Sequence, residues 1–192
     1  MNILVVFTHP NDDSFGSAIK EKIVQGLLDG NHKVQVHDLY RDGFNPILSK
    51  SELLGETKPD ENFHVRKYQE DITWSQRIII IHPVWWCNMP AMLKGYFDRV
   101  LTLGFAYEAR KGKRKPLLGG RKGILVQTFD TEETIEIEKC EDSSYKIVIN
   151  VWKICGIKDW HRFTMFNVQV SELEQREKWL KEAYVLGFMI DN

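Results

Sequence analysis

Two stretches of the chain carry residue types that could do chemistry together. The first is His82-Pro83-Val84-Trp85-Trp86-Cys87-Asn88-Met89-Pro90, in which two adjacent indoles follow the apolar run Ile78 to Ile81. A run that short and β-branched reads as a strand buried on both faces of a parallel sheet, and Pro83 ends its ladder. Open α/β sheets bind ligands beyond the carboxyl ends of such strands, and two indoles there offer a flat face to a planar ring. The pair also fits ordinary buried aromatics, since tryptophan is mostly buried on average. The second stretch, Thr8-His9-Pro10-Asn11-Asp12-Asp13-Ser14-Phe15-Gly16-Ser17, follows the run Ile3 to Phe7. It opens a helix, and the free N–H groups of a helix start beside His9, Ser14 and the small Gly16 make an anion site. Asp12 and Asp13 count against it. A carboxylate about 6 Å from a phosphate costs roughly 3 kcal/mol at an effective dielectric near 20, whereas the helix terminus returns only about 0.3–1 kcal/mol. Both carboxylates must then face away, and Ser14 taken alone fits a plain helix cap equally well. Neither G-x-G-x-x-G nor G-x-x-x-x-G-K-[ST] is present, so ordinary dinucleotide binding and nucleotide hydrolysis are not indicated.

These stretches need elements to hold them. Ile3 to Phe7 is a strand, and Phe15, Ile19, Ile23 and Leu27 recur every four residues on one helical stripe that Gly30-Asn31 stops. Lys33 to Tyr40 alternates as a strand nearer the sheet edge, which makes the opening a β-α-β unit with parallel strands. From Arg41 to His64 the pattern breaks at Gly43, Pro46, Gly55 and Pro59, with a short helix near Ser51 to Leu54; so long a connection suits a cover for a site or a contact with a partner subunit. A helix over Val65 to Ser75 leads into the Ile78 strand. Pro90 opens another with Met92, Leu93, Phe97, Val100 and Leu101 on its apolar face. Further on come a strand at Gly123 to Thr128, a helix at Ser143 to Cys155 ended by Gly156, and a strand at Lys158 to Phe166. The last helix starts with a capping box, Ser171 and Glu174, and turns Leu173, Leu180, Ala183, Tyr184 and Gly187 inward. The pattern is α/β: a flavodoxin-like, doubly wound five-stranded parallel sheet with helices on both faces, in one domain over 1–192. Both chemical stretches then fall at the carboxyl ends of adjacent strands. An anion anchor beside a flat aromatic wall suits a flavin.

Composition narrows the classes. A chain of 192 residues, 43% apolar, buries one core, and a net charge of -1 names no polyanionic partner. Arg110, Lys111, Lys113, Arg114 and Lys115 read as a solvated loop, and no nucleic acid is expected. No apolar stretch approaches the roughly 18 residues of a membrane span, and Met1 to Thr8 has no basic leader, so a cytoplasmic protein without membrane insertion is expected. Cys87, Cys140 and Cys155 show no C-x-x-C pairing; neither a disulfide nor a metal site is expected, and reduced thiols fit best. Cys87 has no basic neighbour in sequence that would make it a nucleophile.

The same residues carry a family likeness. Pro83-Val84-Trp85-Trp86, then Met89-Pro90-Ala91-Met92-Leu93-Lys94-Gly95-Tyr96-Phe97-Asp98-Arg99-Val100 and Gly104-Phe105-Ala106-Tyr107, resemble the signature of the NAD(P)H:quinone oxidoreductases, the DT-diaphorase-like flavoproteins. Ser14-Phe15-Gly16 resembles their S-F-N phosphate loop, and Asp38-Leu39-Tyr40 with Phe44-Asn45-Pro46-Ile47-Leu48-Ser49 is also similar. The resemblance implies a homodimer in which FAD, or alternatively FMN, takes hydride from NAD(P)H and passes two electrons to a quinone-like acceptor. It implies that His9, Ser14, Phe15 and Gly16 hold the phosphate end, that Pro83, Val84, Trp85, Trp86 and Cys87 flank the isoalloxazine, and that Tyr107 lines the pocket near the dimer partner. The later third departs from the family. Where the family has T-T-G-G at the flavin pyrimidine edge, this chain has Thr128, Phe129 and Asp130; Phe129 is bulkier, and a charged Asp130 facing the ring would oppose the negative charge that reduction creates. For the tyrosine and histidine that animal members use, Tyr145 and His161 are the available types. Tyr145 lies on an apolar helix face and His161 in a strand, which suits structural roles better. Two other readings remain: a flavodoxin-type electron carrier, whose usual acidic surface is missing here, and a flavin-binding regulatory subunit docked on a membrane partner.

Overall fold

A computed structural model describes residues 1–57, 62–110 and 112–190; Pro59 and Lys111 lie outside the described residues. Strands β1 (Asn2–Phe7), β2 (Lys33–Asp38), β3 (Arg77–Pro83), β6 (Lys122–Thr128) and β7 (Asp159–Met165) form one sheet in the order β2-β1-β3-β6-β7, with every pairing parallel. This is the doubly wound arrangement expected, with β2 at one edge. Period-two alternation decides which residue meets which layer. Leu4, Val6, Ile78, Ile80 and Leu125 point to one face, under α3 (Phe63–Trp74), α4 (Ala91–Val100) and α6 (Ser143–Cys155). Ile3, Val5, Phe7, Ile79, Ile81, Ile124 and Val126 point to the other, under α1 (Phe15–Asp29) and α7 (Leu173–Phe188). Those last two helices cross at paired glycines. A Cβ on Gly26 would sit 2.1 Å from the Tyr184 carbonyl oxygen, and one on Gly187 would sit 2.3 Å from that of Ile23. No helix of the described residues is long and apolar enough to cross a membrane.

Three features differ from expectation. The basic stretch is not a plain loop, because β4 (Tyr107–Arg110) and β5 (Lys113–Pro116) pair antiparallel, with Glu108 opposite Lys115. A helix α5 (Glu133–Cys140) intervenes before α6; its single buried residue is Glu136, so no apolar stripe announced it. The capping box at Ser171 does not form. The N-cap of α7 is Glu172, the Ser171 hydroxyl donates to the Val168 carbonyl instead, and Leu173 is exposed rather than turned inward.

The long segment after β2 is tied down. Its short helix α2 (Lys50–Leu53) carries a capping box of Ser49 and Glu52. The Arg99 guanidinium of α4 reaches across to Glu52 and donates to the Asn45 carbonyl. Gly95 of α4 lets Pro46 approach, since a Cβ there would meet the Pro46 carbonyl oxygen at 2.2 Å.

Candidate functional site

The carboxyl edge of the sheet brings the two chemical stretches together. Phe7 and Ile81 are level in the register, as are Pro83 and Thr128, so the loops after β1, β3 and β6 leave the sheet side by side. The His9 ring meets the Trp85 ring edge-on at 6.1 Å between centroids. His9 Nδ1 is held against Asn11, 3.0 Å from its N–H and 3.1 Å from its carbonyl oxygen, which fixes the position of the ring.

The start of α1 is built as a capped helix whose first donors are open. Ser14 is the N-cap: its Oγ accepts from the Ser17 N–H at 3.1 Å, and its hydroxyl also contacts that of Ser17. The N–H groups of Phe15 and Gly16 come too early in the helix to have an intrahelical acceptor. Thr8, the residue after β1, is fully buried, and its Oγ1 has no hydrogen-bond partner among the described residues. A Cβ on Gly16 would come no closer than 3.7 Å to Phe7 or Ser14, so packing inside the chain does not demand this glycine. The part of the charge objection that rests on Asp12 eases, because Asp12 pairs with the Arg41 guanidinium at 3.3 Å.

The tryptophans are not ordinary core. Trp85 is 38% exposed and Trp86 99% exposed. They stand on a two-residue hairpin in which the Trp85 N–H donates to the Asn88 carbonyl at 2.9 Å and the Asn88 N–H returns a bond at 3.0 Å. Its central residues, Trp86 and Cys87, both have left-handed φ, of 52° and 56°, the geometry of a type I′ turn usually filled by Asn-Gly. A non-glycine residue there costs about 1–2 kcal/mol. The turn holds because both flanks are anchored: the Val84 N–H donates to the Thr128 carbonyl at 2.8 Å, and the Ser143 hydroxyl donates to the Cys87 carbonyl.

Below this edge lies a polar floor. His82, fully buried, donates from Nδ1 to the Pro83 carbonyl at 2.7 Å, and its Nε2 accepts from Gln127, which also donates to Ser144 at 2.9 Å. Burial holds the His82 imidazole neutral down to a pKa of about 4. His82, Gln127 and Ser144 had no part in the site as read from sequence, though a polar type ending each of two apolar strands was the available signal.

The remaining site residues separate. Phe129 turns inward and stacks on Phe166 at 4.6 Å, so its bulk is absorbed by packing, while Asp130 is exposed beside it. Tyr145, in the first turn of α6, lies under the Arg162 guanidinium at 4.5 Å. His161 is exposed beside Ile124 in the first half of β7, away from the carboxyl edge. Tyr107 lines a separate cavity of 510 Å³ with Leu48, Glu52, Leu54 and Leu103.

The cysteine expectation is overturned. Cys87 and Cys140 are joined as a disulfide across 53 residues, with Cα atoms 5.5 Å apart, and only the buried Cys155 is a free thiol. Spacing could not reveal it, because the parallel register alone brings the loop after β3 beside the helix that follows β6. Glu136 completes a group with the two sulfurs, the three potential ligand atoms lying within 4.8 Å of one another.

With this geometry in place, kinship is informative. The family model described as Flavodoxin-like fold matches residues 1–185. An uncharacterised NAD(P)H oxidoreductase of Haemophilus influenzae is 34% identical over 165 residues, covering 83% of this chain and 80% of its own. NAD(P)H dehydrogenase [quinone] 1 of Rattus norvegicus is 37% identical over 121 residues, covering 54% of this chain and 44% of the rat protein, so the chain spans under half of that relative. Among solved structures, the NAD(P)H:quinone oxidoreductase of Methanothermobacter marburgensis superposes with a TM-score of 0.82 at 26% identity, over 100% of this chain and 99% of its own. Smu.1420 of Streptococcus mutans gives 0.86 at 29% identity, over 98% and 99%. A sheet edge with an open helix start beside exposed indoles, on a chain matched nearly end to end by such relatives, belongs to the flavodoxin-like family of NAD(P)H oxidoreductases.

Proposed function

We propose that this oxidoreductase binds a flavin, FAD or alternatively FMN, at the carboxyl edge of the sheet and carries two electrons from NAD(P)H to a quinone-like acceptor in two half-reactions. The observation that supports this best is the His9–Trp85 contact, which joins the anion-binding helix start to the aromatic turn in one continuous surface. The N–H groups of Phe15 and Gly16, with Ser14 and the His9 ring, would receive the phosphate end. Trp85 and Trp86 would lie against the ring system; the Phe129 N–H is already given to the Met165 carbonyl and the Thr128 carbonyl to the Val84 N–H, so of the loop after β6 it is the exposed Asp130 that would face the ring's far edge. When bound, the flavin supplies the hydride chemistry. The chain's part is alignment: an exposed indole pair fixes the plane of the ring, and a nicotinamide stacked on it must bring its donor carbon within about 3–3.5 Å. His82, buried and neutral at pH 7, supplies no proton here. Binding and orientation are the chain's main contribution to the rate. The same reading takes the protein as a cytoplasmic, single-domain homodimer, and quinone as acceptor follows the names of the rat and Methanothermobacter relatives.

The test is an anaerobic absorbance spectrum of the purified protein before and after one equivalent of NADH, then NADPH. Flavin bands that bleach within seconds and return on adding a quinone are expected. Flavin that stays oxidised with both nucleotides rules out direct hydride transfer and points to an electron carrier; protein that takes up no flavin on reconstitution removes the site.

A further inference from the structure

Backbone strain collects around the disulfide. Of the six non-glycine residues with left-handed φ among the described residues, four flank the pair: Trp86 and Cys87 in the turn, and Glu141 and Asp142 just after Cys140. Such strain persists where the surrounding structure over-determines it, and it gathers at functional sites. Both cysteines are half-buried and within reach of a small reagent, whereas Cys155 is sealed in the core with its thiol pushed up to about 11. One helical turn before Cys140, Glu136 is only 3% exposed, and its Oε1 has no hydrogen-bond partner. It lies within 4.8 Å of both sulfurs. The geometry points to a second two-electron centre in this protein: Cys87–Cys140 is a redox-active disulfide that exchanges with small-molecule thiols, and Glu136 supplies and recovers the proton.

The step balances as follows. A small-molecule thiolate attacks Cys87 Sγ on the outward turn; the S–S bond breaks and its electron pair stays on Cys140 Sγ, which takes the proton of the Glu136 carboxyl. A second thiol then attacks the mixed disulfide, frees Cys87 as a thiol and leaves as the oxidised small-molecule disulfide. The net change is two thiols oxidised, the protein disulfide reduced, and Glu136 reprotonated from solvent. Glu136 suits the task because burial, with Asp142 adding to it, raises its pKa; Arg162 on β7, bonded to Asp142 at 2.8 Å, opposes that shift. It is thus the buried acid of the cluster rather than a solvated carboxylate. Disulfides that interconvert in this way are the usual kind in reducing compartments, which fits a chain otherwise read as cytoplasmic. The inference is independent of flavin binding.

The experiment uses the full chain freed of any cofactor, equilibrated anaerobically in buffers of reduced and oxidised glutathione, then denatured in acid, alkylated and weighed by mass spectrometry. The label count is expected to rise from one, on Cys155, to three as the buffer becomes reducing, with Cys87 and Cys140 changing in step. Cys140→Ser should instead trap glutathione on Cys87. Glu136→Gln should slow exchange about 10-fold at pH 6 and flatten its pH profile without changing the label counts at equilibrium. Three labels at every ratio would overturn the proposal. So would a pair that resists excess thiol in the folded protein, or thiols found reduced and masked by stoichiometric zinc. A Glu136→Gln rate equal to that of the wild type would overturn the proton assignment.

Discussion

Trp86 combines near-complete exposure with a backbone geometry that its own side chain disfavours. An indole of that size left in water is explained by what it would cover. Trp86→Ala is therefore expected to leave stability within about 0.5 kcal/mol of wild type by denaturant titration, since nothing packs on the ring. Flavin affinity should fall about 3- to 10-fold by fluorescence titration, the range of one lost aromatic contact. Loss of stability with unchanged flavin binding would make the residue structural. His82 is the opposite case, a polar group given over to the fold. A histidine that titrates near 6.5 when unfolded and at about 4 when folded stabilises the native state fully above pH 6.5, and that stabilisation is lost as the pH falls toward 4. For the cofactor-free protein the loss at pH 5 is expected to be about 2 kcal/mol. His37, buried and also lowered, shifts stability in the same direction, so the His82 share is the difference from His82→Gln. Glutamine can still donate to the Pro83 carbonyl and accept from Gln127, and it does not ionise. Equal pH slopes for the two proteins would refute the assignment.

Among the elements, the segment between β2 and α3 shows how one ion pair fastens a long connection. The Arg99 side chain is 5% exposed and its partner Glu52 15%, and the arginine also holds the Asn45 carbonyl. Removing one partner of a pair so buried leaves the other charge unpaired, which costs about 3 kcal/mol. Arg99→Ala should show that loss by chemical denaturation, with faster protease cleavage inside residues 41–57; cleavage at the wild-type rate would mean that Pro46 packing on Gly95 suffices. None of this was legible from the chain, because residues 47 positions apart share no local pattern. What was legible followed from short-range rules. Continuous apolar runs at Ile3 to Phe7 and Ile78 to Ile81 can only be strands covered on both sides, and the four-residue spacing from Phe15 to Leu27 can only be a helix stripe. The open helix start and the tryptophans were readable for the same reason, since each lies within a few residues of a strand end. Helix α5 was not, having no buried apolar stripe, and neither was the Cys87–Cys140 bond, a product of register between strands distant in sequence. Ser171 shows the limit of local rules: its capping box was available, yet the Val168 carbonyl and Arg176 claimed the hydroxyl.

At the scale of the molecule, an exposed apolar surface remains beside the Tyr107 cavity. Leu53, Leu54 and Leu103 are each more than half exposed, and they meet around one cavity with Leu48, Leu101 and Tyr107. Isolated exposed leucines need no explanation, but a contiguous group of them is where the homodimer proposed above would form. Closed homo-oligomers are most often two-fold, with the same patch used on both copies, and a stable interface buries about 1,200–2,000 Å² in total. The Arg99–Glu52 clamp presents α2 and its leucines at this surface, which gives the long segment a role beyond covering the core. Sedimentation at micromolar concentration is expected to give twice the chain mass. Leu53→Asp combined with Leu103→Asp should give the monomer with unchanged circular dichroism, because a charge facing its own copy across a two-fold axis is unpaired and desolvated. A wild-type monomer at these concentrations would remove the homodimer from the reading. A dimer indifferent to both substitutions would move its interface elsewhere, leaving the leucines around Tyr107 to the acceptor.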